Sequence, residues 1–207
     1  PSFVPQTAYI HPRITGDTVR YFEWIGAAVY TADRRAGAMH GKQFLMDSVY
    51  AGIDESNVYG RLDFIGGKIP EMDFELVVNF ESWAADAQRP RRTLRLHGGI
   101  TSRKIAFWKI SAPEEESPLA TSDSPSPEAT AVLARNFEFK LPLAWLLATP
   151  VTSSNHNISA RVSSPVAIRL RLRFSIWHNG LPVDALPVEG WMELQLLSEE
   201  NLMALGR

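Results

Sequence analysis

Cysteine is absent from the 207 residues. That excludes disulfides, thiolate metal sites and cysteine nucleophiles. The absence suits an intracellular protein, and a cytoplasmic location is the expectation. No apolar stretch approaches the ~20 residues that span a bilayer, and no segment has the pattern of a secretory leader, so no membrane partner is expected. The chain opens at Pro1 rather than Met, which suggests a processed or excised piece of something longer. Excess charge of one sign is scarce. The formal net charge is −2, but five of the 23 acids lie in 111–130, where there is no base; elsewhere 18 acids face 21 basic groups, about +3. That is too weak for a nucleic-acid footprint.

Reaction motifs are missing as well. There is no G-x-S-x-G elbow, no H-E-x-x-H, no P-loop and no calcium-loop pattern. Gly66-Gly67-Lys68 lacks the upstream glycine and following Ser or Thr that would cradle a phosphate. His11, His40, His97, His156 and His178 have no metal-ligand spacing. His156 with His178, or His40 with Met39, are the combinations that would suit a metal or haem, and surface or loop histidines are the favoured reading. No cofactor and no metal are expected. Asp54, Asp63, Glu75 and Glu138 lie on or beside strand-like runs, where two acids facing one bond would serve glycoside hydrolysis. The favoured alternative pairs them with Arg61, Arg95, Arg169, Arg171 and Arg173 on a wet sheet face, and a noncatalytic chain is the expectation.

The strongest positive signal runs from Val166 to Trp177. Val166, Ile168, Leu170, Leu172, Phe174 and Ile176 alternate with Ala167, Arg169, Arg171, Arg173, Ser175 and Trp177, the pattern of a long half-buried antiparallel strand. Further strand-like runs are Tyr21–Tyr30, Lys42–Ala51, Asn57–Phe64, Asp73–Phe80, Thr93–His97, Lys104–Ile110, Ala131–Leu141 and Trp191–Leu197, separated by Gly-, Pro- and Asp-rich turns. The reading is a single all-β domain over 1–207, an antiparallel β-sandwich of jelly-roll or immunoglobulin-like type with at most one or two short helices. Residues 1–20 read as an irregular lead-in, Leu143–Ala148 as a helical turn, 151–164 as a polar loop, and Ser198-Glu199-Glu200 as the cap of a short terminal helix. Residues 111–130 hold four Pro, five Ser and five acids and read as a mobile insertion.

The aromatics suggest a ligand surface. Trp24, Trp83, Trp108, Trp177 and Trp191 fall on the polar side of their runs or at strand ends. A flat ring suits the C–H face of a sugar, with neighbouring polar groups for the hydroxyls. The competing reading is that these rings seal sheet edges under loops. Candidate carbohydrate-contacting residues are Trp83, Trp108, Trp177, Arg169, Arg171 and Arg173. The arginine row suits either an anion or a solvated, aggregation-resistant face. Asn157-Ile158-Ser159 is a glycosylation sequon, meaningful only in a secreted chain.

Four segments resemble one family: Tyr21-Phe22-Glu23-Trp24-Ile25-Gly26-Ala27-Ala28, Gly37-Ala38-Met39-His40, Ser48-Val49-Tyr50-Ala51-Gly52-Ile53-Asp54 and Asn57-Val58-Tyr59-Gly60-Arg61-Leu62-Asp63-Phe64. They resemble the β-rich C-terminal region of glycoside hydrolase family 57 proteins, over about residues 9–64. Asp54…Tyr59-Gly60-Arg61-Leu62, Glu138…Leu141-Pro142-Leu143 and Leu186-Pro187…Gly190-Trp191 are similar to sandwich modules of the family 9 carbohydrate-binding and DOMON type. The first resemblance implies a noncatalytic accessory domain whose nucleophile and acid lie in a separate N-terminal domain, with that domain and α-glucan or oligosaccharide as partners. The second leaves open a haem- or metal-binding module. A purely structural sandwich without a ligand is the remaining alternative.

Overall fold

Backbone pairing and side-chain alternation together divide the chain into two antiparallel sheets. The computed structural model describes residues 2–16, 20–33, 44–124, 126–147 and 167–196. In chain order the strands are β1 (Ser2–Val4), β2 (Ala28–Thr31), β3 (Met46–Ile53), β4 (Asn57–Phe64), β5 (Phe74–Ala84), β6 (Arg92–Thr101), β7 (Lys104–Ser111), β8 (Ala120–Thr121), β9 (Thr130–Leu133), β10 (Phe137–Pro142), β11 (Ala167–His178), β12 (Leu181–Leu186) and β13 (Met192–Gln195). One sheet has the order β1-β2-β3-β4-β10-β9. The other has β12-β11-β5-β6-β7-β8, with β13 also paired to β11. The protein is an all-β sandwich, with one short α-helix, α1 (Ala144–Leu147), among the described residues.

The inner faces follow the period of two. Leu170, Leu172, Phe174 and Ile176 of β11 lie in one core with Phe74, Leu76, Val78 and Phe80 of β5 and with Phe137, Phe139 and Leu141 of β10. Rings meet across the gap: Phe80 and Phe139 are T-shaped at 5.5 Å, and Phe139 lies 6.1 Å from Phe174. Phe139 has room because Gly60 faces it. A Cβ on Gly60 would fall 2.1 Å from the Phe139 ring. The sheets are also joined by a side chain, since Asp184 of β12 accepts hydrogen bonds from the N–H groups of Leu45 and Met46 at 3.0 and 2.9 Å. Buried Leu146 of α1 joins the same core.

Several boundaries differ from the sequence reading. Tyr21–Trp24 is a 3-10 turn and the strand starts only at Ala28, because Trp24 turns into a second small core with Ile10, Ala27 and Tyr59 on the outer face of the six-stranded sheet. The lead-in is not wholly irregular: Ser2–Val4 pairs with β2 despite being exposed, since backbone pairing needs no amphipathic pattern. The run 131–141 is two strands, with a break where Arg135 N–H reaches the carbonyl of Gly16. The Pro/Ser/acidic segment contains β8 instead of running free. Leu119 and Ser122 donate to the carbonyls of Ile110 and Trp108, each at 2.8 Å, and the Ser122 hydroxyl accepts from Trp108 N–H. That pairing covers part of the edge of β7. The expectations on 37–43, 148–166 and 197–200, including His40, His156, the Asn157 sequon and the terminal helix, lie outside the described residues.

Candidate functional site

The wet face of the seven-stranded sheet carries the site, and strand register builds it row by row. Trp177, Glu75, Gly99 and Phe107 are successive partners across β11, β5, β6 and β7. Ser175, Val77, His97 and Lys109 form the next row, and Arg173, Asn79, Arg95 and Ser111 the row after it. In the first row a β-bulge between Gly99 and Ile100 re-aims β7, and the Phe107 ring lies over Gly99, where a Cβ would meet it at 2.3 Å. Phe107 also stands edge-on to His97 at 5.3 Å.

Trp177 and Phe107 thus flank a groove of about 360 Å³, whose lining includes Glu75, Gly99, Thr101 and Asn179. The Trp177 indole N–H is already satisfied by Ser175 Oγ at 2.9 Å, so the ring is held without a ligand. Glu75 Oε1 lies 3.2 Å from His97 Nε2. His178 Nδ1 lies 2.8 Å from the carbonyl of Asp73, and Asn179 Nδ2 3.2 Å from His178 Nε2. The arrangement is an apolar wall on two sides with hydrogen-bonding groups between. It suits a ligand that has both a ring face and hydroxyls.

The structure does not bring the six predicted contact residues together. Trp177 alone of them lines this groove. Trp108 is 6% exposed and belongs to the inner core: β7 alternates, and its neighbour Phe107 takes the outward position. Trp24, also read as surface-available, is buried in the small core. Trp83 lies at the far end of the face with the Arg169 and Arg171 guanidinium carbons 5.4 and 4.8 Å from its ring centroid, and its N–H donates to Glu81. Arg171 pairs with Glu193 at 2.9 Å, and Arg173 donates to the carbonyls of Pro187 and Val188. The arginine row is thus engaged with its own sheet and connections. Phe107, the second wall, was missed because it sits beside Trp108 in a run whose inward member cannot be told from sequence.

The acids sort differently from one another. Asp63 pairs with Arg61 at 2.8 Å, as the arginine-pairing reading has it. Arg61 is fully buried (0% exposed), with its guanidinium between the Tyr21 and Tyr50 rings at 4.9 and 4.8 Å. Glu138 lies beneath the N-terminal segment and beside Arg61, its register partner across β10 and β4, and Oε2 accepts from the N–H groups of Thr15 and Gly16. Burial pushes its carboxyl above the usual range, although those N–H groups and the Arg61 charge pull it down. Asp54 accepts from Tyr59 OH and from the backbone of Ser56 and Asn57.

Tertiary folding also gathers His11, Asp54 and Glu55, whose ligand-type atoms lie within 4.8 Å of one another. Linear spacing hid this group. Ile10 N–H bonds the carbonyl of Ile53 and so carries His11 to the β3–β4 turn. The three residues are engaged locally, His11 with Glu55 at 3.2 Å and Asp54 with its own turn. Among the described residues no helix is long and apolar enough to cross a membrane. The chain matches no protein-family model, no curated protein and no solved structure.

Proposed function

We propose that the chain is a noncatalytic accessory module of a glycoside hydrolase family 57-like enzyme, holding α-glucan on the wet face of its seven-stranded sheet. One observation carries the reading: the groove between Trp177 and Phe107, floored by Gly99 and edged by Glu75 and Asn179. Two rings present C–H-binding faces, and carboxylate and amide groups stand where hydroxyls would lie. The resemblance of residues 9–64 to the C-terminal region of that family points to the same ligand class. A cytoplasmic site of action belongs to this reading, with the cysteine-free composition as its support.

Isothermal titration with maltoheptaose and glycogen tests it. Saturable binding is expected, weakened about tenfold or more by Phe107→Ala and by Trp177→Ala. Silence at millimolar ligand removes the glucan assignment. A second reading, packing against a catalytic domain, is favoured by Phe22 and Ile25, which are 70% and 74% exposed on the turn over the six-stranded sheet. Such exposed apolar groups mark contact surfaces. Co-expression with a family 57 catalytic domain is expected to yield a complex that Phe22→Ser with Ile25→Ser disrupts, and failure to associate counts against it.

A further inference from the structure

On the same wet face lies a second groove of about 410 Å³, lined by Asn79, Glu81, Thr93, Arg95, Ser111 and Trp191 among others. We infer that it is the second subsite of one track, so that the module binds an oligosaccharide along its length and not a single ring or chain end. This rests on the glucan reading above and extends it.

Register places the two grooves. Glu75 and Asn79 are four residues apart on β5, roughly 13 Å at the rise of a strand, which is the reach of a short oligosaccharide. Between them runs the row Ser175, Val77, His97 and Lys109. Val77 is buried, and Ser175 is short with its hydroxyl turned to the carbonyl of Val77. Arg173, which would otherwise rise beside Asn79, is drawn to the carbonyls of Pro187 and Val188 in the β12–β13 connection. The two grooves share no lining residue and lie along β5 with one row of the sheet between them.

The second groove has its own chemistry. The side chains of Asn79, Thr93, Arg95 and Ser111 make no hydrogen bond or ion pair among the described residues. On the same sheet face Arg171, Arg173, Glu75 and Trp177 all have protein partners. Four unengaged donor-bearing groups beside one indole ring form a place for hydroxyls against a sugar face. Arg95 supplies several N–H donors in a fixed fork, suited to adjacent hydroxyl pairs.

The test compares chain lengths by isothermal titration of the whole chain. Maltoheptaose is expected to bind about tenfold or more tightly than maltotriose. Trp191→Ala and, separately, Arg95→Ala are expected to remove that advantage while leaving maltotriose affinity within about twofold, and Trp177→Ala to weaken both sugars. The Arg95 variant guards against loss of folding, since that side chain is exposed. Equal affinity for the two sugars, or equal weakening of both by Trp191→Ala and Arg95→Ala, overturns the extended track and leaves the single-groove reading standing. Binding of neither sugar overturns both.

Discussion

The phenol of Tyr59 donates a 2.6 Å hydrogen bond to the carboxylate of Asp54, five residues earlier across the β3–β4 turn. Both groups are buried, and the other carboxylate oxygen is taken by the N–H groups of Ser56 and Asn57. The turn is thus closed by a side-chain pair as well as by backbone. Tyr59→Phe leaves an ionised, buried acceptor with one partner fewer. A loss of about 1–3 kcal/mol is expected, read as a lower urea midpoint at unchanged slope. A midpoint within error of the parent would show that the bond contributes nothing net.

Acid and neutral stability are set by different carboxyls. Burial acts to raise the Asp54 pKa, but the bonds from Tyr59, Ser56 and Asn57 together hold it below the usual range. A lowered folded pKa contributes stability above the unfolded value, about 3.9, and that contribution is lost as pH falls through the folded value. Glu138 has the opposite sign. Its raised pKa contributes stability below the unfolded value, about 4.3, which is lost as pH rises through the folded value. Because one oxygen of Glu138 receives both N–H groups, the amide of Glu138→Gln can keep them. The melting temperature of Glu138→Gln is expected to gain on the parent as pH rises above the unfolded value of about 4.3, whereas Asp54→Asn should flatten the acid loss below about pH 3.9. Parallel melting curves above about pH 4.3 for Glu138→Gln, or below about pH 3.9 for Asp54→Asn, would contradict the assignment.

Gly60→Ala tests the cross-sheet ring packing. The new methyl would overlap Phe139, which is hemmed in by Phe80, Phe137 and Phe174. A core this closely filled yields only through off-rotamer shifts, so about 1–3 kcal/mol of destabilisation is expected in chemical denaturation. A neutral result would mean that the phenyl cluster is loosely held.

Gly99→Ala poses the same steric conflict at the surface with a different outcome. Its Cβ meets the Phe107 ring, but that ring is 38% exposed and can swing out. Melting is expected to change by less than about 1 kcal/mol equivalent, while maltoheptaose affinity falls because one wall of the groove has moved. Unchanged affinity with a displaced ring would separate Phe107 from the ligand.

Asp184→Ala removes the acceptor of Leu45 and Met46 N–H groups and with it a polar tie between the sheets. Leaving two buried N–H groups unpaired should cost about 2–4 kcal/mol. Hydrogen exchange at Leu45 and Met46 checks the cause. If those amides stay as protected as in the parent, any loss of stability comes from elsewhere.

Much of the sandwich was legible in the chain because strand alternation is local. Arg169 through Trp177 sorts into faces by a period of two, and Leu170, Leu172, Phe174 and Ile176 are buried where that period puts them. Less of the groove was legible. Trp108 and Phe107 are adjacent aromatics in one strand, and which of them faces out depends on a bulge in that strand at Ala106, between the Phe107–Gly99 and Ile105–Ile100 pairs. Trp24 was misplaced because a 3-10 turn, closed by Ala27 N–H on the carbonyl of Trp24, turns it inward. Arg169, Arg171 and Arg173 were correctly set on one face, but their engagement with Trp83, Glu193 and the 187–188 carbonyls depends on chain that lies far away in sequence.

By itself the order of residues determined the sheet class, the inward set of the long strand and the lack of any familiar reaction motif, because each follows from side-chain alternation or from short-range pattern. Only the tertiary structure decided that Trp177 and Phe107 line one groove across two intervening strands, that Glu138 lies under Thr15 and Gly16, and that His11 reaches Glu55. Those encounters arise from strand register and long-range pairing, and neighbouring residues carry no record of which distant segment will come to lie beside them.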